Sequence, residues 1–525
     1  MQRFHPLRAS LPEKTWPAHA RAAGLLFVCG VACGLSATPA WADVTLFDRA
    51  PVRIDGYLEI GGGGFYVPDV NFGAGSYATA NGKGLTRWPS YGELYMKPGL
   101  TGRVDLGGGT SVFAGLSAIG SVTFGHGDAE LYSQTSGTPS SVALEESYLG
   151  VDTHLPFGGA NDTFQVKGGR QRFMVDDGFL IGKGTYNTGE RAAWWYAPRF
   201  AFSGPGTMSF NGNPVRADVF VLENNSSYAD SRGDDRPATS FAGFDVTWYK
   251  SKPGKDGRSI YANRAAYVTL TYFNVYNADS SSYFDRSVRG DRDGMNVYSL
   301  SFGGTMLPVH MLGIDKNLTL YGQYVGEHND NKAQGWDGVD AYGLYIESGY
   351  TFSGVPWTPR IFYRYSNYSG NKSANSTVKH SYDNMFLFNG ARRVFGGNFP
   401  GEIVGEYTAG LSNINIHQAG VTVTPPVHVL RDADSTDLSL LYYSINYNHP
   451  EAAGLTAADS HFSDEVDAVA EYSYDDSTSG ALLAGIAFPG RGGKDTVISQ
   501  QPAENNLPHV GRTSYVFETY FYKRF

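Results

Sequence analysis

The chain has 525 residues, 41% hydrophobic and 14% aromatic, with 66 Gly, 35 Tyr and a net charge of −10. That acidic balance disfavours nucleic acid and other polyanions as general partners. Its two cysteines, Cys29 and Cys33, precede residue 43, so disulfides, cysteine metal sites and cysteine nucleophiles are excluded beyond it.

The first 42 residues read as a secretory signal peptide. Arg3, Arg8, Lys14 and Arg21 lead into AGLLFVCGVACGLSA, and Ala40-Trp41-Ala42 supplies a small-residue cleavage pattern before Asp43. An uncleaved anchor is the alternative, with an apolar run too short for a flanked span. Removing the four basic residues and one acidic residue of this segment leaves 37 Lys/Arg against 50 Asp/Glu, a net of −13 for residues 43–525. No later run reaches about 18 apolar residues, so a transmembrane helix is not available. Two classes remain, a periplasmic all-β protein and a transmembrane up-and-down antiparallel β-barrel.

Period-2 alternation decides between them. In VRIDGYLEI, residues 52 to 60, Val52, Ile54, Leu58 and Ile60 share one face, opposite Arg53, Asp55, Tyr57 and Glu59. From Tyr91, YGELYMKPGLTGRVDL repeats the scheme over sixteen residues, long for a sandwich strand and ordinary for a tilted membrane strand. About eighteen such segments (16 to 18 by how 369 to 416 is treated) start near residues 52, 91, 110, 142, 162, 194, 215, 240, 264, 294, 318, 340, 358, 417, 437, 463, 479 and 513. Odd connections are long and polar, among them 68 to 90, 173 to 193 and 369 to 416; even ones such as 107 to 109, 156 to 161 and 475 to 480 are short. Long outer loops, short periplasmic turns and an even strand number predict one barrel over 43–525, with both termini in the periplasm.

Within the third long connection lies DDGFLIGKGT, 176 to 185, a near miss of a phosphate-cradling loop. Three residues separate Gly178 from Gly182-Lys183, and Gly184 stands where the Ser or Thr for Mg²⁺ is required. No helix signal follows, so the segment reads instead as a constriction loop folded into the lumen, with Asp176, Asp177 and Lys183 facing the passing solute. DRSVRGDRDG, 285 to 294, lacks the third ligand spacing and the closing Glu of a calcium loop and reads as a solvated surface loop. The 12 His show no pair at metal-ligand spacing, no HExxH occurs, and no Ser has a nucleophile-elbow context. No cofactor, no metal and no enzymatic activity are expected.

The path residues follow from the inward faces. TPRIFYRYSNY puts Arg360, Phe362 and Arg364 on one face; Lys97 and Arg103 lie on the charged face of the second strand, and Arg199 on the segment starting near 194. Under strict alternation Gln165 and Lys167 point inward and Arg170 and Arg172 toward lipid, at about 2 to 4 kcal/mol each near the midplane. A bulge at Gly168-Gly169 turns both arginines inward; otherwise they lie at the outer end of the strand.

The terminal SYVFETYFYKRF aligns Tyr515, Phe517, Phe521 and Phe525 on one face, similar to the closing strand of bacterial outer-membrane proteins, whose last phenylalanine is read by the barrel-insertion machinery. GGRQRFMVDDGFLIG, 168 to 182, and DEVDAVAEYSY with ALLAGIAFPG, 464 to 490, resemble the alginate-export family of outer-membrane barrels. The resemblance implies an eighteen-stranded barrel lined by basic residues, Arg170 and Arg172 foremost, that passes an anionic exopolysaccharide or oligosaccharide outward. It also implies outer-membrane lipid and lipopolysaccharide as surroundings and periplasmic polymer-export components as neighbours. A diffusion porin for small hydrophilic solutes is the alternative, and an outer-membrane enzyme a third.

Overall fold

The structure is a computed structural model, which describes residues 43–75, 87–129, 138–155, 162–185, 192–196, 198–224, 239–251, 264–278, 292–304, 317–332, 336–387, 399–453, 459–500 and 509–525. The expected signal peptide and most of 285 to 294 lie outside them. The wall is built from β2 (Val52–Tyr66), β3 (Ser90–Gly107), β4 (Thr110–His126), β5 (Ser140–His154), β6 (Thr163–Arg170), β7 (Ser203–Asn211), β8 (Val215–Asn224), β9 (Thr239–Ser251) and β10 (Arg264–Ala278). It continues through β11 (Asn296–Gly304), β12 (Leu318–Asn329), β13 (Gly338–Thr351), β14 (Arg360–Tyr368), β16 (Ile414–Val423), β17 (Ser435–Tyr447), β18 (His461–Asp475), β19 (Thr478–Pro489) and β20 (Ser514–Arg524). Each pairs antiparallel with the next, β14 pairs with β16, and β20 returns to β2, closing an eighteen-stranded barrel. Two short strands stand outside this count: β1 (Val44–Arg49) pairs with β2 below the end of β20, and β15 (Val378–Lys379) pairs parallel with β13.

Alternation sorts the two faces. Leu270, Leu300 and Tyr324 are cross-strand neighbours and all exposed on the outside, where acyl chains are the solvent. One residue along, Thr269, Ser301, Gln323 and Tyr345 are cross-strand neighbours and all buried on the lumen side. The strand starts agree with the periodicity to within three residues except at one place. The sixth strand begins at Ser203 rather than near 194, so Arg199 sits in the third outer connection, L3 (171–202). Ala-Trp-Trp-Tyr, 193 to 196, is apolar because it packs inside the barrel, not because it faces lipid. The 369–413 segment, L7, is a loop with the β15 bridge and one short helix, Val404–Tyr407, among its described residues.

The register device at the basic strand differs from the expected one. The extra residue is Glu145 on β5: Ser117 pairs with Glu146, and Ala118 with Leu144. β6 stays in register with β5, and Gly169 at its end takes φ +102°, where a Cβ would meet the Ser147 carbonyl oxygen at 2.4 Å. That conformation turns Arg170 inward, toward the Glu145 carbonyl at 2.8 Å and Thr185 Oγ1 at 3.0 Å.

The periplasmic turn between β16 and β17 is tied by one side chain. Asp434 accepts from the N–H groups of Val429, Leu430 and Arg431 and from the Tyr472 hydroxyl, at 3.1, 2.6, 3.0 and 2.7 Å. Burial alone raises a carboxyl pKa, but these hydrogen bonds outweigh it and hold Asp434 well below the usual carboxylate range. A depressed folded-state pKa gives stability that is present above the unfolded value and lost as pH falls through the folded one. The turn is therefore expected to hold unchanged down to about pH 4 and to loosen only below it. Asp434→Asn is expected to loosen it at neutral pH. Hydrogen exchange at the 429–431 amides checks both, and protection unchanged in the variant refutes the latch.

Candidate functional site

Two outer loops fold into the lumen and meet there. L3 enters after β6, and the Gly182 and Lys183 N–H groups donate to the Phe386 carbonyl of L7 at 2.9 and 3.1 Å. Ile181 and Phe386 form a parallel bridge. Trp195 stacks on Tyr407 with ring centroids 5.8 Å apart, and Phe179 packs edge-on to Phe399 at 5.1 Å. The interior apolar core of this chain is thus the junction of two loops rather than the inside of a sheet sandwich.

Wall carboxylates hold the loops by their backbones. Glu93 of β3 accepts the Trp195 and Tyr196 N–H groups at 3.1 and 3.0 Å, and Glu145 accepts those of Phe200 and Ala201 at 2.7 and 3.1 Å. For L7, Glu465 of β18 accepts Ile403 and Val404 N–H at 2.7 and 2.9 Å, and Glu327 of β12 accepts Asp383 N–H at 3.0 Å. Inserted loops carry N–H groups with no ladder partner, and a carboxylate offers two oxygens to neighbouring ones. These four carboxylates face loop backbone and not a solute.

Below the loops, toward the short-turn end, basic side chains line a vestibule in pairs with acids. Arg103 meets Asp152 at 2.8 Å, Arg216 meets Asp218 at 2.7 Å, and Arg360 meets Glu347 at 2.9 Å. Arg172 lies 3.6 Å from Glu59 and 3.8 Å from Glu146. In each pair the cation is the more exposed member: 53% against 15%, 17% against 1%, 19% against 1%, and 43% for Arg172 against 6% and 14%. Rings brace several of them, with Arg172 over Phe200 at 5.3 Å and Arg360 over Phe362 at 4.9 Å. A solute in this space meets guanidinium faces first, although the chain as a whole is acidic.

The expected path residues divide accordingly. Arg103, Arg172 and Arg360 reach the vestibule, and Arg170 points inward against L3. Lys97 is buried on Glu59, Arg364 is buried between Glu347 at 2.9 Å and the Phe399 ring, and Arg199 is buried within L3. All three are buried, so none of them faces open lumen in this structure. L3 does fold inward, but Asp176 bonds to Ser301 and to Thr269, the latter at 2.9 Å, and Asp177 accepts from the Tyr345 hydroxyl at 2.6 Å. Both face the wall instead of the solute, because a loop crossing the lumen needs anchors on the far side. Lys183 is buried within electrostatic reach of Glu406, Glu93 and Glu145.

Periodicity puts Glu93 and Glu465 on the inward face without their clamping role, and it does not single out Arg216, Glu145 or Glu327. Glu145-Glu146 was the available signal, since two adjacent acids inside a strand break alternation and mark a bulge. Among the described residues no group of three or more His, Cys, Asp or Glu is arranged to hold a metal ion.

Residues 270–506 match the family model described as alginate export. A search of curated protein sequences returned no match. Among solved structures the chain is similar to a BenF-like porin from Pseudomonas fluorescens Pf-5, at 9% identity and TM-score 0.48, over 90% of this chain and 98% of that one. It is similar to Pseudomonas aeruginosa OccK2 (OpdF), solved in complex with glucuronate, at 9% identity and TM-score 0.48, over 90% and 96%. Pseudomonas aeruginosa OccK5 (OpdH) gives 10% identity and TM-score 0.46, over 89% and 97%. The chain is a closed eighteen-stranded antiparallel β-barrel whose residues 270–506 match the alginate-export family model.

Proposed function

We propose that this channel gives an anionic polysaccharide or oligosaccharide, uronate-bearing in the alginate-export manner, a passive path across the outer membrane. The observation that carries the reading is the order of exposure in the vestibule: Arg103, Arg172, Arg216 and Arg360 each present a guanidinium to the solute and hide the paired acid. Guanidinium groups bind carboxylates in planar, bidentate fashion, and spaced cations let a polyanion pass from one to the next. The protein needs only to supply this hydrated path and a constriction. On this reading residues 1–42 are removed on secretion, Phe525 serves recognition by the insertion machinery, and periplasmic export components deliver the polymer. No catalytic role is assigned.

Planar-bilayer conductance with and without an oligouronate on the periplasmic side tests the proposal. Block by the oligouronate, absent with a neutral glucan of equal length, is the expected result. A conductance indifferent to both favours a porin for small solutes, and no conductance at all removes both transport readings. Deleting residues 176–185 takes out the strip of L3 that spans the lumen between Thr269, Tyr345 and Phe386. Single-channel conductance is expected to rise about twofold, since a hydrated path conducts in proportion to its open area. An unchanged conductance places the narrowest point elsewhere.

A further inference from the structure

The barrel closes between β2 and β20, in a ladder that runs from Glu59/Arg524 to Tyr66/Phe517. Leu58 and Phe525 exchange N–H···O bonds at 3.1 and 2.9 Å, so counting by twos makes Gly62/Phe521 and Gly64/Thr519 the next hydrogen-bonded pairs up the seam after Ile60/Lys523. At both, a side-chain hydroxyl enters the pair. The Tyr196 hydroxyl, from L3, accepts the Phe521 N–H at 3.2 Å and donates to the Gly62 carbonyl. The Gly64 N–H donates to Thr519 Oγ1 at 3.0 Å.

β2 is also bare at this height. Gly61 to Gly64 are four successive glycines, so neither face of the strand carries a side chain. On the lumen face a Cβ at Gly61 would meet the Tyr95 ring at 2.4 Å, and one at Gly63 the Tyr196 ring at 3.2 Å. Near the seam the wall has a cavity on each face, the inner one against β18, β19 and β20 and the outer one reaching β2. The inner one, about 80 Å³, is lined by Tyr196, Tyr520, Phe521 and Tyr522. The outer one, about 590 Å³, opens on the lipid face between Tyr66, Ala468, Ala470, Leu482 and Phe517, and runs from Leu438 on β17 to Ser90 on β3. It crosses six strands, or about 24 Å at about 4.8 Å per interval. A single acyl chain, which fills about 15 Å of half a bilayer core, fits along it.

We infer that the β2–β20 seam is a lateral portal between bilayer and lumen, with one lipid acyl chain seated in the outer groove and Tyr196 as its bolt. The occupant is a hydrocarbon chain because the groove is apolar and opens only toward the acyl chains that bathe this face. Tyr196 couples the portal to the lumen, since the loop that narrows the channel also bridges the seam. The portal goes beyond the passive path proposed above and does not depend on its substrate.

Photolabelling in nanodiscs with a single-chain fatty acid carrying a terminal diazirine tests it. The wild type is expected to label the outer groove, at 438–439, 468–470 and 517. Tyr196→Phe removes the bridging hydroxyl, and label on the lumen-facing Tyr520 and Tyr522 is expected to rise about fivefold, the equivalent of one lost hydrogen bond. Thr519→Val provides a second variant should the first fold poorly. With Cys29 and Cys33 the only native cysteines, Ile60→Cys with Lys523→Cys gives a disulfide across the seam that is expected to abolish the rise, and reduction to restore it. Lumen label that stays flat in both variants, or rises equally with the seam locked, overturns the portal. Conductance recorded on the same samples reports separately on the channel.

Discussion

Replacing Glu465 by alanine is expected to lengthen the open state of the channel. Its carboxylate is the acceptor for Ile403 and Val404 at the start of the short L7 helix, and both amides are buried. Alanine leaves two N–H groups without that acceptor inside the lumen, at about 1 to 3 kcal/mol each. A loss of about 3 kcal/mol changes the ratio of seated to released loop roughly a hundredfold. Only the 399–411 stretch should leave, because Asp383 keeps its hydrogen bond to Glu327 and its two bonds to Arg292, at 2.6 and 2.8 Å. Single-channel traces should therefore show longer openings at an intermediate level rather than a fully open pore, and Glu465→Gln, which retains one acceptor oxygen, should fall between. Heat-modifiable mobility at the wild-type temperature confirms that the barrel itself is intact. Wild-type gating in a folded Glu465→Ala protein would show that this clamp does not hold the loop.

The wall was legible in the sequence because lipid on one side imposes a strict period of two, and Leu94, Met96 and Leu100 have no other reason to alternate with Glu93, Lys97 and Arg103. The interior was not, because it obeys no period. Residues 193–202 are as apolar as any strand in sequence, yet 193–196 and 198–202 fold into the lumen, where Glu93 and Glu145 take their amides. A run of aromatic residues satisfies two environments, lipid and loop core, and composition does not separate them. Charge misled in the same way. A net of −13 speaks against an anionic solute only if the acids face it, and in this lumen Glu93, Glu145, Glu327 and Glu465 face loop backbone. Which arginines stay exposed, Arg172 and Arg103, and which are covered, Arg199 and Arg364, depends on where L3 and L7 come to rest. That is long-range packing between residues hundreds of positions apart.

Reversing one of those exposed charges, Arg172→Glu, is expected to lower the anion-to-cation permeability ratio about tenfold at low salt. The side chain is 43% exposed and stands off from Glu59 and Glu146 at 3.6 and 3.8 Å, so it is a loose pair whose field reaches the water. At 4 Å in water one unit charge is worth about 1 kcal/mol to a passing ion, and the reversal changes the local charge by two units. It also leaves Glu59 and Glu146 beside a third acid. Lys97 and Arg524 still bond Glu59, which keeps the fold of the vestibule in place. Screening sharpens the test: the Debye length is about 10 Å at 0.1 M salt and about 3 Å at 1 M, so the change in reversal potential should shrink steeply as salt rises. Arg364→Glu is the contrasting case. That guanidinium is buried between Glu347 and the Phe399 ring, so its reversal should lower the heat-modification temperature of the barrel and prevent L7 from seating. If Arg172→Glu leaves the reversal potential unchanged at 0.1 M, ions do not pass this ledge and the anionic path runs elsewhere. If selectivity inverts and block by oligouronate weakens by a similar factor, the small ion and the glycan share one route, and Arg172 stands on it.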